Sequence, residues 1–162
     1  MAWGKNGTPS TLTSAGTDLD ITDLTAKKFN QFLCHTVGTT ATSLLYQFGA
    51  SSIDATNNYA HTYNQDGTGD ATQVTRGNIW AYYDGGDEDR FNIIYGINIA
   101  TEEKLFIAFA VVQNTTGAGI APQRVEEVGK WANTSNQYTK VKAFSGSGNH
   151  AIGSNLSVIG TD

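Results

Sequence analysis

Phe91 to Val112 reads FNIIYGINIATEEKLFIAFAVV, and the reading of this stretch decides the fold. In its first half, Phe91, Ile93, Tyr95, Ile97 and Ile99 alternate with Asn92, Ile94, Gly96, Asn98 and Ala100. A period of two marks a half-buried strand. Ala100 to Lys104 breaks the pattern with charge. A second run then sets Leu105, Ile107, Phe109 and Val111 against Phe106, Ala108, Ala110 and Val112. This run is apolar on both faces, as expected of a central strand covered on both sides. Two such runs across a short polar break predict an antiparallel hairpin at the centre of the core. A membrane helix is a poor reading, because Glu102, Glu103 and Lys104 interrupt it and neither half reaches the ~18 apolar residues of a span.

Working outward, residues 1–17 are rich in chain breakers and lack periodicity, so they predict an extended N-terminal arm carrying Trp3. That Trp3 either docks on a neighbouring subunit or folds back onto its own domain. Residues 18–162 are expected to form one β-sandwich domain. Asp18–Leu24 reads as an edge strand. Lys27–Val37 fits either a helix or a bulged strand, since Phe29, Phe32, Leu33 and Val37 suit both spacings. Ser43–Gly49, Asn58–Asn64 and Asn78–Tyr83 read as strands, with Tyr59, His61 and Tyr63 sharing a face of the second. Gln65–Gly69 and Tyr83–Arg90 (YDGGDEDR) read as turns, Thr115–Ala121 as a loop, and Arg124–Ala132, Gln137–Phe144 and Asn155–Ile159 as the closing strands. Nine or ten strands at roughly ten-residue spacing predict an all-β, antiparallel, jelly-roll-like β-sandwich.

Composition supports this and narrows the function. The chain of 162 residues is long enough to bury a core without disulfides or metal. The one cysteine, Cys34, excludes an internal disulfide and is expected to be a small core residue. With a net charge of −5 and only 10 scattered basic residues, the chain lacks the clustered basic face that nucleic acid requires. The first residues, MAWGKNGTPST, hold no apolar segment of signal-peptide type.

Catalytic patterns are missing from the sequence. His35, His61 and His150 have no metal-ligand spacing and are expected as satisfied polar residues. There is no nucleophile elbow, phosphate-binding loop or dinucleotide fingerprint. Glu126 and Glu127 are neighbours on a strand, so they face opposite sides and cannot share a substrate. No enzyme is expected. The best ion candidate is the acidic segment holding Asp84, Asp87, Glu88 and Asp89, whose carboxylates and glycine-freed carbonyls are the hard oxygen ligands calcium takes. Asp66 with Asp70 is a weaker one, and the competing reading of both is a solvated turn. Tyr59 with Tyr63, and Tyr82 with Phe91, could form a carbohydrate platform or pack a sheet surface.

Two stretches carry a resemblance. LYQFGASSIDATNNYAHTY (45–63) runs from an apolar strand through a polar turn into Asn58-Tyr59-Ala60. GKWANTSNQYTKVKAFSGSGNHAIGSNLSVIG (129–160) holds Gly129-Lys130-Trp131 and ends in a glycine–serine strand. These pieces, about a third of the chain, resemble a widespread group of small phage virion proteins with an Asn-Tyr-Ala, a Gly-x-Trp and a terminal Leu-x-Gly strand. The turn residues Asp54-Ala55-Thr56-Asn57 depart from the group's glycine-containing turn, and Val158-Ile159-Gly160 only approximates its terminal signature. The resemblance implies a jelly-roll virion component, carries no catalytic residue across, and tips Lys27–Val37 towards strand. Symmetric homo-oligomers such as trimers, contacts with major capsid or tail proteins, and interface anchors at Trp3, Trp80 and Trp131 follow from that reading, with Trp131 a core or interface anchor. A receptor-binding module engaging a surface glycan, with calcium at Asp84, Asp87 and Asp89, is the alternative.

Overall fold

The computed structural model describes residues 2–38, 42–86, 88–113 and 115–162, with backbone only for residues 42 and 81–86. Thirteen strands and no helix occur among the described residues. They are β1 (Gly4–Lys5), β2 (Ser10–Thr11), β3 (Asp18–Ile21), β4 (Phe29–Val37), β5 (Thr42–Gly49), β6 (Tyr59–Gln65), β7 (Asp70–Arg76), β8 (Ile79–Gly86), β9 (Asp89–Ile97), β10 (Lys104–Val112), β11 (Gln123–Trp131), β12 (Lys140–Phe144) and β13 (Asn155–Thr161). One sheet runs β1-β13-β4-β9-β10-β11-β6-β7, with β2 also on β13, and the other runs β3-β12-β5-β8. All pairings between these strands are antiparallel. The chain crosses between the sheets before and after β4, β5 and β12 and on either side of β8, which gives the jelly-roll-like sandwich.

The hairpin β9–β10 sits at the middle of the large sheet, pairing Ile107 with Tyr95 and Phe109 with Ile93. Its inward face is Asn92, Ile94, Gly96, Phe106, Ala108 and Val112. Against it lie Leu44, Tyr46, Phe48, Val141 and Ala143 of the small sheet. Phe48 stacks on Phe106 with ring centroids 4.2 Å apart, and Phe32 and Tyr138 pack at 5.5 and 5.3 Å from Phe48. Gly96 makes room for this cluster, because a Cβ there would come within 2.9 Å of the Phe106 ring.

Several buried polar groups are paired where they meet the core. Asn98 donates to the Tyr138 carbonyl at 3.1 Å and accepts from its N–H at 2.7 Å, while Asn30 donates to the Tyr138 hydroxyl at 3.0 Å. Tyr46 donates to Asn92 Oδ1 at 3.0 Å beside Cys34, whose thiol burial pushes up to about 12. Cys34 is therefore an inert core residue. Lys104, which reads as part of a charged break, is fully buried; its ammonium donates to the carbonyls of Glu102 and Asn133 at 2.5 and 2.6 Å.

Several local expectations change. Lys27–Val37 is strand, as β4. Strand β7 was not anticipated: DATQVTR has no apolar alternation, and its side chains are mostly exposed at the sheet edge. The turn expected over Tyr83–Arg90 is shorter, since β8 continues to Gly86 and β9 starts at Asp89; paired backbone overrides the local glycine signal. Residues of the N-terminal arm lie along β13, held by Gly4–Lys5, Ser10–Thr11 and an Asn6 N–H bond to the Val158 carbonyl at 2.9 Å.

Candidate interaction surface

Strand geometry sends alternate side chains to opposite faces, so whatever is not inside the sandwich must be on its exterior. On β10 the exterior set is Leu105, Ile107, Phe109 and Val111, which are 56, 51, 48 and 41% exposed. The expectation that this strand is covered on both sides is thus corrected: the small sheet covers one face, and none of the described residues covers the other. The neighbours continue the surface. β9 contributes Phe91 and Tyr95 with the half-buried Ile93 and Ile97, β11 contributes Val128, and Trp3 of the arm lies beside Tyr95 and Leu105.

The strand register makes these residues one patch. Ile107 stands between Tyr95 on β9 and Val128 on β11, Phe109 opposite Ile93, and Val111 opposite Phe91. At their observed exposures these side chains leave roughly 800 Å² of apolar surface, against roughly 300–600 Å² for the largest patch on a typical monomer. Several shallow depressions lie on it. One of about 440 Å³ is floored by Leu105, Ile107 and Val128 and walled by Thr62, Thr72 and Lys130. Another, about 290 Å³, lies among Trp3, Phe29, Tyr95, Ile97 and Leu105.

The rim on β6, β7 and β13 carries polar side chains. Thr62, Asn64, Thr72 and Asp70 follow on β6 and β7, and Asn155 and Ser157 on β13. The charges on β11 pair locally, Lys130 with Glu103 at 2.8 Å and Arg124 with Glu126 at 3.7 Å. An apolar centre within a polar rim is the anatomy of a protein interface.

The anticipated anchors divide. Trp3 is on this surface at 49% exposure. Trp131 is 1% exposed and belongs to the core: its indole N–H donates to Asp54 Oδ2 at 2.8 Å, and its ring stacks on Tyr59. It cannot be an interface anchor. Trp80 is half-buried, packed on Tyr63 and His61 with centroids at 5.1 and 5.4 Å. Tyr59 is also buried, donating to the Asp54 carbonyl at 2.8 Å, so its ring offers no platform for a sugar.

Of the ion candidates, Asp87 and the Asp84 side chain lie outside the described residues, while Asp89 is exposed at the start of β9. Asp66 Oδ1 accepts the Arg124 N–H of β11 at 2.7 Å and Asp70 accepts from Asn64 of β6 at 3.2 Å, so each carboxylate has a partner within the sheet. Among the described residues no three His, Cys, Asp or Glu side chains converge as metal ligands would.

One interior cluster carries titratable groups. Glu127 lies 3.9 Å from His61 Nδ1 and accepts the Trp80 N–H at 3.0 Å. Burial raises the Glu127 carboxyl well above its ordinary range, a shift the Trp80 bond partly offsets. Burial, helped by Arg76, lowers His61 to about 4. Both groups therefore favour their neutral forms. The expected satisfaction of the histidines fails at His61 and His150: their rings are buried, and neither finds a hydrogen-bond partner among the described residues. His35 is exposed on the outer face of β4. The cluster is closed to bulk solvent, so it cannot receive a substrate in this conformation.

No family model and no curated protein sequence matches the chain. Solved structures give low-level similarity. The chain resembles domains LG4-5 of the mouse laminin alpha1 chain at 11% identity and a TM-score of 0.35, covering 94% of this chain and 41% of that one. The Emp47p carbohydrate recognition domain follows at 10% identity and 0.29, covering 99% and 89%. The CBM2 module of the evolved Dit of Lactobacillus casei BL23 phage J-1 is similar at 12% and 0.28, covering 95% and 76%. At these scores none of them bears on function. The architecture itself stands on the strand pairings: an all-β, antiparallel, jelly-roll-like sandwich with one apolar outer face.

Proposed function

We propose that this chain is a virion structural subunit, a capsid decoration or tail-associated protein that works by protein–protein contact rather than catalysis. The observation that carries the contact reading is the uncovered apolar centre of the large sheet, from Phe91 and Tyr95 through Ile107 and Phe109 to Val128. A surface of that size favours burial against a protein surface, and its polar rim lets the burial be specific. The virion assignment is supported by the resemblance of residues 45–63 and 129–160 to small phage virion proteins. Mechanically, each contact adds buried apolar area and so raises the barrier to separating the assembled parts.

The test is the copy number of this chain in purified particles, measured by quantitative mass spectrometry against the major capsid protein. A ratio near one, or a simple fraction of it, is expected for a decoration role, and a few copies per particle for a tail role. Absence from particles would overturn the virion reading. Retention on a glycan array would then become the next measurement.

A further inference from the structure

We infer that the outer face of the nine-stranded sheet packs against the same face of a second copy of this chain, about a two-fold axis. This rests on the contact reading of that face and names its partner.

Three observations lead there. First, the patch offers roughly 800 Å² per chain, which is what each partner contributes to a standard stable interface. Second, it is a broad sheet surface rather than a cleft, its centre formed by the side-by-side rows of β9, β10 and β11. Such a surface is matched in width and pleat by another sheet stacked at ~10 Å, as in aligned sheet packing. Third, the apolar surface is concentrated in one place. Beyond the patch, the large exposed apolar side chains among the described residues are Val74, Ile120 and Ile152, on β7 and two separate loops.

The third point selects the symmetry. A two-fold interface uses one self-complementary patch on both subunits, whereas a three-fold ring joins two different areas of each subunit. The described residues supply one apolar patch of this size, so the expectation of a trimer gives way to an isologous dimer. Electrostatics permits the pairing at the centre of the patch, where the charges on β11 are matched within each chain.

The experiment is light scattering on the full chain across concentrations up to about 100 μM, where an interface of this size saturates. The expected result is a dimer mass for the natural sequence. Ile107→Glu should raise the dissociation constant by about 30-fold or more, the loss typical of a central anchor. Ile107 is half-exposed, so the variant should keep its far-ultraviolet dichroism. Val128→Lys serves as a second probe, and Ile152→Glu, on a separate loop, should leave the mass unchanged. A monomer throughout, a trimer, or a dimer indifferent to both patch substitutions would overturn the inference. The two readings fail separately. A chain that is monomeric in solution but present in particles loses the two-fold pairing and keeps the virion assignment. A dimer absent from particles does the reverse.

Discussion

The two outer faces of the sandwich are built from the same kind of strand and differ in what they show to water. On the small sheet, Asp20 and Lys142 stand side by side across β3 and β12, Gln47 beside them on β5 is buried and donates to the Gly77 carbonyl, and Lys142 pairs with Asp18 at 2.6 Å. On the large sheet the equivalent central row is Tyr95, Ile107 and Val128. Scattered apolar side chains are ordinary on any exterior, but a contiguous apolar row at the centre of one sheet is not. The difference is that, among the described residues, one exterior carries charge at its centre and the other an exposed apolar row.

That contrast can be broken or sharpened by substitution. The largest effect is expected one residue away from the patch: Phe106→Ala should destabilise the fold by about 3–5 kcal/mol in urea denaturation, by emptying the stack on Phe48. Phe109→Ala, on the opposite face of the same strand, should stay within about 0.5 kcal/mol, measured on a chain held monomeric by Ile107→Glu. Equal losses at both positions would mean that the outer face is already covered.

Next in size is the Trp131–Asp54 bond that fixes the turn before β6. Trp131→Phe leaves the carboxylate without its indole donor and should cost about 1–3 kcal/mol. Asp54 also gives this site a pH dependence. Burial alone would raise its carboxyl, but bonds from Asn58, Thr56 and Trp131 prevail and hold it at about 2. A depressed acid contributes stability above its unfolded value near 4 and loses it as pH falls towards 2. Thermal melting between pH 4 and pH 2 should therefore fall more steeply in the natural chain than in Asp54→Asn.

A second fall should precede it, to which His150 and His61 both contribute. Burial, with Arg90 nearby, lowers His150 to about 4 while Asp18 opposes. The unfolded chain binds that proton first, so stability drops as pH falls from about 6.5 to 4. His150→Gln should partly flatten the melting profile over that interval, and an unchanged slope would exclude His150 as a source.

The smallest effect belongs to the charged exterior. Lys142→Gln removes the ion pair with Asp18 on a partly exposed surface and should change stability by about 0–1 kcal/mol. Its particle incorporation and oligomeric mass should match the natural chain.

Much of the strand content was legible because period-two alternation is local: Phe91–Ile97, Leu105–Val112 and Ser43–Gly49 each announce a strand within a few residues. Strand β7 was not, since DATQVTR is an edge strand held by its pairing with β6 rather than by apolar burial. The candidate surface was half legible. Its residues stood out as apolar, but Leu105, Ile107, Phe109 and Val111 were assigned to the covered core, and Trp131 was allowed an interface role. Both follow from reading hydrophobicity as burial within a single chain.

What the sequence determined by itself is therefore the all-β class, the central hairpin and the sorting of its side chains into two sets. Which set faces inward was decided by tertiary structure. On β9 the more apolar set, Phe91, Ile93, Tyr95 and Ile97, faces out, while Asn92, Gly96 and Asn98 face in. Those inward positions are held by partners distant in the chain: Tyr46 for Asn92, Tyr138 for Asn98, and the Phe106 ring that needs the space above Gly96. Alternation is a property of neighbouring residues. Its phase depends on contacts that exist only once the two sheets have met.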